Sequence, residues 1–130
     1  MSRLFVNGTL MRGLGLHHNL DGATFLREDL TAPAYRMFSI GDVHPGMFRD
    51  DAAGASLAGE VYEVPPDALA RVIAGEPPGL YVGEVELAGG EVVPGILFDE
   101  DRTGGQPEIT ELGGWRTYLA QLTAGVDELP

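Results

Sequence analysis

The sequence predicts an α+β domain whose sheet can curl towards a barrel, and three observations carry that reading. Nineteen glycines and nine prolines in 130 residues demand many turns, and therefore short strands. Five or six runs are short and apolar or alternating, the signature of strands. Only two stretches space their apolar residues as a helix face does. Strands that follow one another with few helices between them belong to the α+β class rather than to a strand–helix alternation. The length fits one domain over residues 1–130, with no internal repeat.

Taken in order, Leu4-Phe5-Val6 is an apolar run ending abruptly at Asn7-Gly8, a pair that favours positive φ and a tight turn. Leu14 to Leu20 reads as one loose helical turn closed by Gly22. Ala23–Thr31 and Tyr35–Ile40 read as strands, the second with Tyr35, Met37 and Ser39 on one face. Only Ala32-Pro33-Ala34 separates them, so they are expected to pair antiparallel. Gly41 to Gly46 reads as a loop, Met47-Phe48 as a strand remnant and Arg49 to Ser56 as another loop. Leu57–Val64 alternates cleanly. Pro65-Pro66-Asp67 starts a helix, with Asp67 as its cap and Leu69, Val72 and Ile73 as its inner face. Glu76-Pro77-Pro78-Gly79 cannot continue that helix. Leu80–Leu87 and Glu91–Phe98 form a hairpin about Ala88-Gly89-Gly90. A polar loop then leads to a last helix from Trp115 to Leu122, with Trp115, Tyr118, Leu119 and Leu122 along one side.

Composition excludes several function classes. A formal charge of −12 argues against a nucleic-acid surface, which needs clustered Lys and Arg. The absence of cysteine removes disulfides, thiolate metal sites and thiol nucleophiles together. No basic-then-apolar leader opens the chain and no apolar run approaches the ~20 residues of a membrane span. A cytoplasmic domain, with neither membrane nor nucleic acid as partner, is the expectation.

Two stretches can carry chemistry. After Val6, the backbone N–H groups of Thr9, Leu10 and Met11 leave the regular ladder, and freed donors at a strand end can form an anion-binding nest. The second is Glu76, held between a helix end and two prolines. A carboxylate fixed over a cavity and partly desolvated has a raised pKa and can act as general acid or base; left in solvent, it is an ordinary loop glutamate. His17 and His18 are adjacent and point to different faces of a helical turn, so they do not share an ion, and no acidic cluster completes a site with them or with His44. No metal is expected. Thr9 lacks the motif of an activated nucleophile, and Gly8, Gly13 and Gly15 do not have dinucleotide-binding spacing.

Asn7-Gly8-Thr9-Leu10 resembles the Tyr-Gly-Ser/Thr-Leu signature of the γ-glutamylcyclotransferase-like superfamily, with Asn7 where the family usually has Tyr. Gly59-Glu60-Val61-Tyr62-Glu63-Val64 resembles the strand that precedes the family's catalytic helix end, and Glu76 then matches its acid/base. Tyr81 falls near a family Tyr, although Val82-Gly83 replace the usual basic residues. His44-Pro45-Gly46-Met47 resembles an element that borders the same cavity. The resemblance implies a small mixed β-barrel with a few flanking helices. It implies Glu76 as catalytic residue and Asn7, Gly8, Thr9, Leu10, Met11 and Tyr81 as substrate contacts. The partner would be a small molecule bearing a γ-glutamyl, amide or carboxylate group; no cofactor is required, and a homodimer is left open.

The first activity implied is cyclotransfer, in which a γ-glutamyl amide yields 5-oxoproline and a free amine. A second resemblance narrows the branch. Thr31–Met37, Gly83–Leu87 and Ile109–Leu119 are similar to the C-terminal domain of allophanate hydrolases, and Gly113-Gly114-Trp115-Arg116-Thr117-Tyr118 is the most specific part. There the domain follows an amidase domain and helps to dispose of the first product, in a proposed decarboxylation. Without an amidase stretch, the expectation here is a free-standing relative. Its loop, Gly8-Thr9-Leu10-Met11, is closer to the cyclotransferases than to the Gly-Ala-His-Leu-like loop of allophanate hydrolases. The alternatives to cyclotransfer are therefore action on a small urea-derived amide or carbamate, and a binding module without chemistry.

Overall fold

The computed structural model describes residues 2–127, with side chains described through Thr123; Met1 and residues 128–130 of the expected domain lie outside the described residues. In chain order the strands are β1 (Ser2–Val6), β2 (Thr24–Leu30), β3 (Tyr35–Ile40), β4 (His44–Arg49) and β5 (Ala58–Val64). Helix α1 (Pro66–Gly75), β6 (Leu80–Glu86), β7 (Val92–Phe98) and helix α2 (Trp115–Asp127) follow, with 3-10 turns at His17–Leu20, Glu100–Arg102 and Thr110–Leu112. Among the described residues no helix is long and apolar enough to cross a membrane.

Five strands form one sheet in the order β2-β5-β1-β7-β6. β1 lies at its centre because Leu4, Phe5 and Val6 are apolar on both faces and all three are buried. It runs antiparallel to β5, with Leu4 opposite Tyr62, and parallel to β7. The β6–β7 hairpin forms where Ala88-Gly89-Gly90 predicts it, with Glu86 opposite Val92. The sheet curls until its edges meet at one end. There Thr31 bridges Leu87, the Ala32 N–H donates to Glu86 O at 2.9 Å and the Ala88 N–H donates to Leu30 O at 2.9 Å. Elsewhere it remains open, so the barrel expected from sequence is an α+β curled sheet rather than a closed cylinder.

That edge contact also corrects the expected pairing of β2 with β3. Thr31 Oγ1 accepts the Leu57 N–H and donates to Ala32 O, which fixes the chain to β5 and β6 as it leaves β2. β3 therefore pairs with β4 in a separate two-stranded sheet. β4 is a full strand over His44–Arg49 rather than a remnant at Met47-Phe48. Gly41 (φ 61°) and Asp42 (φ 58°) make the turn, and a two-stranded ribbon has free edges that tolerate Pro45. Gly46 lets this hairpin settle on β7, since a Cβ there would lie 2.6 Å from Phe98 Cδ2. Thr110 anchors the other strand, its Oγ1 accepting the Met37 N–H at 2.9 Å.

α1 begins on Pro65, without a side-chain cap. Asp67 sits inside the first turn, 3.8 Å from Arg71, so it is a helix-start carboxylate rather than the cap expected from sequence. Proline fits the first turn because no N–H is needed there. The buried stripe is Ala68 and Val72, with Leu69 packed at its edge; Ile73 is exposed, contrary to the helical pattern. Trp115 is buried at the start of α2, with Tyr118 and Leu119 packed beside the core.

Candidate functional site

β1 delivers the chain into the Asn7–Met11 loop beside the start of β4. The Met11 N–H donates to Gly8 O at 3.0 Å and the Leu16 N–H to Thr9 O at 2.9 Å. The His17 ring supports the loop from behind, with Nδ1 2.9 Å from Leu10 O. Since a carbonyl only accepts, Nδ1 carries the hydrogen. The N–H groups of Gly8, Thr9 and Leu10 find no acceptor among the described residues. Gly8 does not adopt the positive φ that Asn-Gly suggests. Its lack of a side chain serves close approach instead: a Cβ would lie 2.8 Å from Pro45 Cγ.

Across from the loop, Glu76 terminates α1 in extended backbone, and Pro77-Pro78 fix the path beyond it. Asn7, Gly8, Thr9 and Leu10 line one cavity together with His44, Pro45, Met47 and Glu76. Its enclosed part is about 20 Å³, and beyond that it opens to solvent. Glu76 has no hydrogen-bond donor or ion-pair partner among the described residues, and burial pushes its carboxyl up to about 7. Near neutral pH such a group is poised both to give and to accept a proton. Asn7 is 4% exposed, with Nδ2 3.0 Å from Met47 Sδ. His44 is 7% exposed, its Nδ1 2.9 Å from Pro45 O and its ring edge-on to Phe98.

Of the residues singled out from sequence, Asn7, Gly8, Thr9, Leu10 and Glu76 thus converge. Met11 and Tyr81 do not join them. Met11 is buried and lines a different groove, whereas Tyr81 is 51% exposed on β6. Among the described residues no three His, Asp or Glu side chains gather as a metal site would require.

The different groove is the larger concavity, about 340 Å³ between β2, β5 and the start of α2. It contains a residue that the sequence reading passed over. Glu60 is 2% exposed and accepts from the Arg12 backbone N–H at 2.9 Å, Arg12 Nε at 3.0 Å, the Tyr62 hydroxyl at 3.0 Å and Arg116 Nη2 at 3.2 Å. Burial alone would raise its pKa, but the Arg12 and Tyr62 hydrogen bonds outweigh that effect and hold it below the usual carboxylate range. Burial, followed by the hydrogen bond to Glu60, raises the Tyr62 hydroxyl. The Trp-Arg pair that opens α2 thus supplies a buried wedge and a tie, since Arg116 also donates to Arg12 O at 2.6 Å. The signal was available: Glu60 shares a strand face with Ala58, Tyr62 and Val64, where a lone acid needs partners. A saturated, ionised carboxylate is a fastener, so size does not decide which concavity is the candidate site. The smaller one is lined by the loop residues whose N–H groups are unpaired among the described residues and by the perturbed acid.

Residues 2–120 match the family model described as the allophanate hydrolase C-terminal domain. The chain is 35% identical over 129 residues to urea amidolyase from Saccharomyces cerevisiae, an alignment covering 92% of this chain and 7% of that protein. It thus spans only a small part of the curated relatives it matches. Among solved structures it is similar to c4763, a uropathogenic E. coli-specific protein, with 45% identity and a TM-score of 0.88 over 92% of this chain and 95% of the other. An AIG2-like protein from Mus musculus shares the fold, with 23% identity and a TM-score of 0.61 over 81% of this chain and 80% of that one. The α+β fold is therefore shared with that AIG2-like protein, and this chain belongs to the allophanate hydrolase C-terminal domain family.

Proposed function

We propose that the chain promotes proton transfer to a small N-carboxylated amide or carbamate, with Glu76 as the acid. The observation that carries this reading is an unpaired, partly buried carboxyl raised to about 7 in a small cavity it shares with the free N–H groups of the Gly8 loop. Those N–H groups would hold and orient the substrate carboxylate. Glu76 would donate its proton to the substrate nitrogen. The carbon–nitrogen bond would then break with its electron pair passing to nitrogen, releasing carbon dioxide and an amine or amide. Water would return the proton to Glu76. Family membership favours this small substrate over a γ-glutamyl chain.

Cyclotransfer is the second reading, supported by the same Glu76 facing the Gly8 loop. It would need Glu76 to begin as a base, taking a proton from an attacking α-amine and passing it to the leaving amine. The two readings predict opposite pH profiles. If Glu76 is the acid, kcat/KM falls as pH rises through about 7; if it is first the base, the rate rises through the same region. The direct test compares labelled carbon dioxide released from a ¹³C-carboxylated carbamate with 5-oxoproline formed from γ-glutamyl amines. Carbon dioxide release that disappears in Glu76→Gln supports the first reading. Formation of 5-oxoproline alone supports the second, and neither product at any pH removes both.

A further inference from the structure

Two polar side chains in this cavity have atoms that the proton-transfer step does not use. Asn7 and His44 are both more than nine-tenths buried, at 4% and 7% exposure. The Asn7 amide faces Met47 Sδ, and a thioether sulfur has no hydrogen to give. The nitrogen must therefore be the atom at 3.0 Å, which turns Oδ1 the other way. Oδ1 has no donor among the described residues, yet no described side-chain oxygen or nitrogen is sealed away without a partner. It must therefore reach open space, and Asn7 lines this cavity.

The same reasoning applies to His44. Pro45 O, 2.9 Å away, only accepts, so Nδ1 carries the hydrogen. In the neutral ring this leaves Nε2 as a bare acceptor. Nε2 also lacks a partner and also is not sealed, and His44 lines the same cavity. The edge-on packing against Phe98, with ring centroids 5.8 Å apart, holds the ring in place.

We propose that Asn7 Oδ1 and His44 Nε2 form a lone-pair wall that reads an N–H end of the ligand, opposite the N–H groups of the Gly8 loop that read its carboxylate. The site thereby selects a carbamoyl or amine-bearing small acid over an isostere with a methyl group or an oxygen in that place. Asn7 and His44 are specificity-determining residues here, not proton carriers. The inference rests on the cavity being the ligand site, as the proposed function assumes.

The test uses two ligands of nearly one shape, oxamate and pyruvate, which differ by –NH₂ against –CH₃. Calorimetry on the whole chain is expected to show oxamate binding about tenfold more tightly, the scale of one well-made hydrogen bond. In ¹⁵N NMR of the unmodified protein, oxamate but not pyruvate should shift the His44 Nε2 resonance. His44→Phe keeps a flat ring and Asn7→Leu keeps similar bulk; in each the preference should fall towards one while pyruvate affinity is retained. Equal binding of the two ligands, with His44 Nε2 unmoved by either, would overturn the selectivity but leave the carboxylate site intact. No binding of either ligand would overturn the ligand site itself, and the proposed function with it. The NMR measurement needs no variant, so misfolding of a substituted chain does not obscure the result.

Discussion

Glu60 and Glu76 flank the same stretch, one on β5 and one just after α1, and their chemistry is opposite. Glu60 is the less exposed to solvent, at 2%, yet its pKa is lowered, because the Arg12 backbone and guanidinium, Tyr62 and Arg116 all donate to it. Glu76 is partly exposed, yet burial raises it to about 7, because no donor among the described residues meets it. Solvent exposure alone does not decide whether such an acid ionises; the donors around it do. A carboxylate with every lone pair occupied holds structure together. One held from water without partners keeps a proton available for chemistry.

The comparison breaks most visibly on exchange of each carboxylate for its amide. Glu76→Gln keeps the shape and removes the proton, so turnover should fall by about 10²–10⁴ with affinity for oxamate little changed. Full activity in that variant would take Glu76 out of the mechanism. Glu60→Gln should instead cost about 2–3 kcal/mol of stability, because an amide cannot accept from Arg12, Tyr62 and Arg116 together. Activity per folded molecule should survive, as denaturant melts and rate assays on the same sample would show. A loss of activity without a loss of stability would reverse the roles assigned to the two residues.

A smaller effect is expected at the loop. Gly8→Ala places a Cβ 2.8 Å from Pro45 Cγ, so β4 must retreat at a cost of about 1–2 kcal/mol, with weaker oxamate binding. Unchanged affinity would make the loop a turn and nothing more. A further effect lies in the pH dependence of stability, about 1.4 kcal/mol for each pH unit across the shifted range. Glu76 is raised from 4.5 to about 7, so between those values the folded chain holds more protons than the unfolded one and stability falls as pH rises. Glu60 is lowered, so its contribution is present above the unfolded pKa and is lost as pH falls through the folded value. Melting curves against pH should therefore flatten between about 4.5 and 7 in Glu76→Gln, and only on the acid side in Glu60→Gln.

Much of the fold was legible because local pattern and tertiary position agree. Leu4-Phe5-Val6 is apolar on both faces and becomes the sheet centre; Ala88-Gly89-Gly90 becomes the hairpin it resembles. The errors arose where a distant contact overrides the local pattern. Thr31 is captured by Leu87, which separates β2 from β3. His44-Pro45-Gly46 reads as loop, yet it extends as a strand because Phe98 and Gly8 accept it. In the site, Glu76 and the Gly8 loop stood out through their resemblance to a known family, since flanking prolines and a glycine alone fit an ordinary loop and turn. Tyr81 did not join them, since strand β6 carries it to the exposed surface. The Glu60 cluster was hidden because Arg12 and Arg116 are far from it in sequence, and only the fold brings three such charges together.

The most direct test of the contrast is a carbon-detected NMR titration of the Glu76 carboxyl, read beside that of Glu60. A Glu76 midpoint of about 7, displaced when oxamate binds, with Glu60 titrating below the usual carboxylate range, is the predicted result. A Glu76 midpoint near the ordinary ~4.3, unmoved by ligand, would contradict it and leave the cavity without its acid.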